Sequence, residues 1–382
     1  MKLTANLSRR NFVKTAVATA VAAEVYSSTA SAAQEISRAE AMIPTARGDC
    51  VPASKLGLVL PTDLIIQESP EVAQDWPDLT WGARPEGERI AHVVGILNAA
   101  HEGGIGTILD RTIPGIGRNI PRIKKIALQT RLNILVTTGY YVLRDLPYYF
   151  EYREEAPGMY PKGDLRLDDL FVRDIQRGIG DTGVRATAIK VVSDVHGITP
   201  DVLGTIQAAC RAHRKTGAPI TTHTVGALSA LQQERIFSDQ GLDLGRVVYG
   251  HQDRTPPKVP LGEFQRLLDK GAYLSFDGWG PAGTSVVSAD HPSREYNLKR
   301  IADLVRKGYS RQILISSGDL AFADVLGSKF FSGFSFGAKP YLSLIMDIIP
   351  ALKELGVSDS HITEMTRSNP QRWLGTLAKG GY

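Results

Sequence analysis

Eight short apolar runs, separated by segments of helical periodicity, constrain this chain more than any other feature. They fall at 57–60, 105–110, 133–138, 186–192, 219–223, 246–251, 272–277 and 312–316. Most are continuously apolar rather than alternating, as strands of a parallel sheet covered on both faces must be. Helical patterns lie between them at 88–101, 167–178, 200–215, 261–270 and 295–307. Strand alternating with helix means an α/β protein with a parallel sheet. Eight such units in about 320 residues predict a (β/α)8 (TIM) barrel, folded as a single domain, rather than an open sheet. No internal repeat, low-complexity tract or linker marks a second domain.

A barrel of this kind carries its chemistry on the C-terminal ends of the strands. Read that way, the polar residues converge. Asp110 ends the second run, Lys190 lies in the fourth, and His223, His251 and Asp277 end the fifth, sixth and seventh. Asp319 follows the eighth. Neutral imidazoles on neighbouring strand ends are natural ligands for zinc-like cations. A lysine inside an apolar strand is costly unless its charge is removed or paired. Carbamylation is one solution, because it turns the amine into a carboxylate that can bridge cations. A nearby Asp could serve as ligand and as proton acceptor for cation-activated water, whose pKa falls towards about 7. His101, His196, His213, His291 and His361 lie on helical or loop segments and read as surface or packing residues.

The N-terminus reads as an address. Ser8-Arg9-Arg10-Asn11-Phe12-Val13-Lys14 resembles a twin-arginine export signal, followed by a weakly apolar stretch and Ala30-Ser31-Ala32, a small-residue cleavage pattern. The expectation is a signal over 1–32, a mature barrel over 33–382, and a periplasmic or secreted protein. The formal charge is +4, of which residues 1–32 hold +3, leaving +1 for the rest. So small a charge implies neither a nucleic-acid nor a membrane partner. Cys50 and Cys210 are the two cysteines. Cys210 reads as a buried thiol in a helix, and one pair allows a disulfide after export but provides no disulfide framework.

Several segments together resemble the phosphotriesterase family, closest to its lactonases, from about Ile43 to Leu374. They are Thr107-Ile108-Leu109-Asp110 with Gly115-Ile116-Gly117-Arg118, Thr138-Gly139-Tyr140-Tyr141 with Asp145 to Phe150, Ile189-Lys190-Val191, Thr221 to Thr224, Gly250-His251, and Asn369-Pro370-Gln371-Arg372. The resemblance implies a metal-dependent hydrolase on a (β/α)8 barrel. It implies Lys190, as a carboxylated lysine, with His223 and His251 as ligands of one cation, Tyr141 over the metals, and a homodimer. Two departures stand out. Where the family has His-x-His on its first strand, this chain has Thr62-Asp63-Leu64. Leu64 cannot bind a cation, and Asp63 could turn inward only through a bulge. At the eighth strand the family's Asp falls on Gly318, with Asp319 one residue later; a glycine-assisted bulge could re-aim Asp319 into the mouth. Gly278-Trp279 also stands where lactonases carry an arginine.

The expected ligands are therefore Lys190, His223, His251 and Asp319, for one or two divalent ions such as Zn2+, with Asp319 and Tyr141 as catalytic groups. Three protein ligands and an open position suffice for a mononuclear catalytic site. Phe322, Phe330, Phe331, Phe334 and Phe336, interspersed with glycines, suggest a lid, and Tyr140, Tyr141, Tyr148 and Trp279 an apolar lining. The expected substrate is a small hydrophobic ester, lactone or organophosphate. Two alternatives stand beside this reading: a non-catalytic binding protein that keeps the pocket, and a lyase in which Lys190 forms a Schiff base.

Overall fold

The computed structural model describes residues 40–80, 84–150, 166–279, 292–324 and 340–375. The proposed signal, the phenylalanines at 330–336 and His291 lie outside the described residues.

Each of the eight apolar runs forms a strand. They are β1 (Leu58–Leu60), β2 (Ile105–Asp110), β3 (Asn133–Gly139), β4 (Ala188–Val192), β5 (Ile220–His223), β6 (Val247–Tyr249), β7 (Tyr273–Phe276) and β8 (Ile313–Ile315). They form one sheet whose spatial order is the chain order, with every paired neighbour parallel. Helices α1 (Glu86–Glu102), α2 (Ile120–Ala127), α3 (Leu167–Gln176), α4 (Pro200–Thr216), α5 (Ala227–Asp239), α6 (Gly262–Leu268) and α7 (Arg294–Arg306) fill the connections. The architecture is the (β/α)8 barrel that the pattern predicts.

Strand side chains alternate between two apolar clusters, and this parity decides what reaches the lumen. Leu60, Ile108, Ile134, Val136, Ile189, Val191, Ile220, Val247, Leu274 and Ile313 pack outward against the helices. Val59, Leu109, Leu135, Ala188, Val248, Tyr273 and Leu314 form a second, inner cluster with Ala41, Ile43, Trp373 and Leu374. The inner cluster seals one end of the barrel with segments from both ends of the described chain. Arg246 helps fix the C-terminal part, its guanidinium donating to the Trp373 carbonyl at 3.0 Å. The polar groups of the candidate site lie towards the opposite end. There Arg111 shares the inward parity of Leu109, Lys190 that of Ala188, and Asp63 that of Val59.

β1 and β8 meet through side chains at that end. The Asp63 carboxylate accepts from Ser316 Oγ, from Ser317 Oγ at 2.5 Å and from the Asp319 backbone N–H at 2.7 Å. The β1–β2 ladder shifts register between Leu58 and Val59, with the extra residue, Gly106, on β2; this shift lies before Val59 and is not the β1 bulge expected for Asp63. Beyond the barrel, Ile66–Gln67 pairs with Phe322–Ala323. Both cysteines are free thiols, Cys210 buried in α4 and Cys50 partly exposed. No described helix is long and apolar enough to cross a membrane.

Candidate functional site at the barrel mouth

Lys190, His223 and His251 come together. The two imidazole centroids are 4.6 Å apart, Tyr141 lies 5.8 Å from His223, and Lys190 Nζ sits 4.9 Å from the Tyr141 ring centre. Lys190 is buried, and its ammonium form is disfavoured. Burial, then the nearby Arg111 charge, push its pKa well below the ordinary lysine value. Nζ donates to the Arg111 carbonyl at 2.9 Å. A neutral amine of this kind is what addition to CO2 requires, with loss of a proton to give a carbamate.

Each histidine is oriented by a carboxylate. His223 Nε2 lies 3.0 Å from Asp194 Oδ2, and His251 Nδ1 lies 2.5 Å from Asp277 Oδ1. An ionised carboxylate only accepts, so these contacts place the ring protons on His223 Nε2 and His251 Nδ1. The lone pairs left for a ligand are then on His223 Nδ1 and His251 Nε2. Burial lowers the His223 pKa to about 4 and that of His251 well below the usual value, which keeps both rings neutral. Asp194, hydrogen-bonded by His223, is lowered to about 2 and stays ionised. His251 has the left-handed backbone φ of 57°, uncommon outside glycine, which ends β6 abruptly.

The carboxylates behind His251 form a layer of their own. Asp277 also accepts from Ser275 Oγ at 3.3 Å, and Asp253 Oδ1 accepts the Asp277 N–H at 3.0 Å. Ligand atoms of His251, Asp253 and Asp277 lie within 4.8 Å of one another, so they too could hold a metal. Because the His251 Nδ1–Asp277 contact already uses the facing atoms, this group fits better as the support that aims His251 Nε2.

The other expected residues divide. Tyr141 is in place, and burial raises its phenol to about 12, so it remains a hydrogen-bond donor. Asp319 is not directed at the lysine–histidine group as the glycine-assisted bulge would have it. Gly318 does take a φ of 70°, with its backbone hard against the Asp277 carbonyl. The turn, however, sends the Asp319 carboxylate to the Tyr341 N–H at 2.7 Å and to Ser343 Oγ at 3.3 Å. Burial first, then the Asp63 charge, raise it to about 7. Asp63 turns inward, yet its oxygens are taken up by β8. Asp110 has outward parity and ties down the loop after β1, accepting from Ile65 N and from Thr112 N and Oγ1. Trp279 is buried, donating from Nε1 to the Ser316 carbonyl at 2.6 Å, whereas Tyr148 is largely exposed.

Two arginines escaped the reading of the sequence. Arg111 follows β2, and its buried guanidinium reaches across the lumen, donating to the Thr62 carbonyl and, at 3.4 Å, to the Thr222 carbonyl. Its inward parity with Leu109 was the available signal. Arg254, three residues after His251, adds positive potential to His223, His251, Asp194 and Tyr141.

The residues present fit one divalent cation. Lys190, once carboxylated, would offer oxygen, and two neutral, carboxylate-oriented imidazoles would offer nitrogen. The β1 positions do not fit a second, since Thr62 Oγ1 pairs with Ser275 Oγ at 3.0 Å and Leu64 has no donor atom.

Fold and mouth together define a (β/α)8-barrel enzyme. The chain belongs to the phosphotriesterase family, whose model matches residues 41–374. It is 36% identical to a phosphotriesterase homology protein of Mycobacterium tuberculosis over 342 residues, covering 88% of this chain and 98% of that one. It is 30% identical to an aryldialkylphosphatase of Saccharolobus solfataricus over 334 residues, covering 87% and 99%. An N-acetyltaurine hydrolase of Dictyostelium discoideum is 29% identical over 278 residues, covering 71% and 69%. The solved structure of the phosphotriesterase from Mycobacterium tuberculosis superimposes with a TM-score of 0.79 at 34% identity, covering 89% of this chain and all of that one. These relatives place the chain among the hydrolases.

Proposed function

We propose that this protein is a hydrolase dependent on a single divalent cation, held by carboxylated Lys190, His223 and His251, and acting on a small hydrophobic ester, lactone or organophosphate. The observation that carries the reading is the convergence of a buried, neutral lysine with two imidazoles whose free nitrogens are set by Asp194 and Asp277. When bound, the cation supplies Lewis-acid polarisation of the scissile group and activation of water.

The chain's own groups do the rest. Burial keeps both imidazoles unprotonated near neutral pH. Asp194 and Asp277 prevent ring rotation. Tyr141, protonated and beside Lys190, can donate to an oxygen of a substrate seated in the mouth. Arg254 favours build-up of negative charge there. A neutral Lys190 would also suit a Schiff base, but that chemistry gives the two oriented imidazoles no task.

The test is to strip the protein with chelator and reload it with Zn2+, Mn2+ or Co2+ in bicarbonate buffer. Turnover is then followed on an aryl ester, a lactone and an organophosphate triester. Restored turnover that is absent from Lys190→Ala supports the proposal. Binding of less than about a tenth of an equivalent, with no activity after reloading, sinks it. Export by the twin-arginine route and a homodimer remain part of the proposal, tested by cell fractionation and by light scattering.

A further inference from the structure

Arg111 is the charged group in the lumen that this mechanism leaves unused. Its side chain is buried, only 2% exposed. Nη2 donates to the Thr62 carbonyl just past β1, and Nη1 to the Thr222 carbonyl of β5, so the guanidinium spans the barrel between those strands. Its Nε has no hydrogen-bond partner. Space for it is made by Gly250: a Cβ there would lie 3.0 Å from Nη1 and 2.5 Å from the Thr222 carbonyl. Asp63 and Asp277 face it as the nearby opposite charges. An arginine cannot shed its proton at ordinary pH, so this positive charge is permanent. Lys190 also depends on the same residue, since Nζ donates to its carbonyl.

We infer that the Arg111 guanidinium is a built-in cation on the β1 side of the lumen, and that it limits the protein to one bound divalent ion. This rests on the single-cation reading above. The guanidinium occupies the carbonyls and balances the carboxylates that would otherwise draw a second metal ion. At close range, and buried as it is, it repels such an ion. Replacement of the family's His-x-His by Thr62-Asp63-Leu64 is then only half of the change; the arginine is the other half. Arg111 acts here as a positioning residue, holding β1, β5 and the Lys190 amine in place.

The experiment loads the full, chelator-stripped chain with Mn2+ in bicarbonate buffer. Bound metal is measured by plasma mass spectrometry, and coupling between ions by electron paramagnetic resonance. The wild type is expected to saturate at one ion per chain, with the spectrum of isolated Mn2+. Thr62→His/Leu64→His, which restores donors on β1, is expected to stay at one ion while Arg111 remains. Adding Arg111→Met should raise it to two, with an exchange-coupled spectrum. Two ions in the wild type, or in the double variant with Arg111 intact, would overturn the inference while leaving the hydrolase reading standing. One ion in the Arg111→Met triple variant would overturn it as well. No bound ion in the wild type would remove both. If the histidine variants do not fold, as judged by circular dichroism, the wild-type stoichiometry and spectrum decide alone.

Discussion

Asp63 offers the sharpest test of how the open end of the barrel is built. The structure makes it the clamp between β1 and β8, enclosed among Ser316, Ser317 and the Asp319 N–H and only 1% exposed. Burial, partly offset by those hydrogen bonds, raises its pKa from 3.8 to about 6. A carboxyl group whose folded pKa is raised contributes full stability below its unfolded value and loses it as pH climbs through the folded one. The shift of roughly two units corresponds to about 3 kcal/mol lost between pH 4 and pH 7. Asp63→Asn has nearly the same shape and keeps one acceptor oxygen, but it never ionises. Near pH 4.5 it should be less stable than wild type by about 1 kcal/mol, because an amide N–H2 replaces an acceptor. By pH 8 the wild type alone has paid for the charge, and the variant should be the more stable by about 2 kcal/mol. Urea unfolding of both metal-free proteins across that range measures the crossover. A stability difference that stays flat with pH, or that moves against the variant as pH rises, would show that Asp63 is not the buried clamp described. Metal content supplies a second check: as a clamp rather than a ligand, Asp63→Asn should bind as much cation as wild type.

Three further outcomes follow from the site. Lys190→Ala should lose the bound cation and the metal-restored turnover together while the far-ultraviolet spectrum is retained; retention of stoichiometric metal would exclude the lysine as a ligand. Asp277→Asn and Asp194→Asn should each weaken cation affinity roughly 10–100-fold, as loss of a group orienting a ligand does; unchanged affinity in a chelator competition would show that the imidazoles need no such support. Gly318→Ala should destabilise by more than about 3 kcal/mol, because its Cβ would fall 1.5 Å from the Asp277 carbonyl at a φ of 70°. Gly262→Ala, whose Cβ would meet open space, is the matched control, and equal thermal melting of the two would refute the geometry.

The barrel was legible in the sequence because its strands are buried on both faces. A continuous apolar run is a local signal, and all eight were found with ends displaced by no more than two residues. Lys190, His223 and His251 were legible for the same reason: they are polar interruptions at or near the ends of such runs. Asp63 and Asp319 were not, because their orientation depends on contacts between positions some 250 residues apart. No local pattern records that β8 offers two hydroxyls and an N–H to β1. The Gly318 turn was anticipated, but the donor at its far side, the Tyr341 N–H, lies on a segment with no strong periodicity of its own. Arg111 could have been found by extending strand parity one residue past Asp110. Read by type alone, a charged residue at a strand end suggests a solvated loop, and that hid it. Helix α5 was missed because its buried face carries Ser229, Gln233 and Glu234 among the apolar residues.

The proposed chemistry requires one cation meeting Lys190, His223 and His251, and anomalous diffraction from a crystal grown with Mn2+ and bicarbonate tests that most directly. It predicts a single peak per chain, bonded to His223 Nδ1, to His251 Nε2 and to an oxygen of carboxylated Lys190. No peak, or a peak seated instead among His251, Asp253 and Asp277 with the Lys190 amine unmodified, would contradict it.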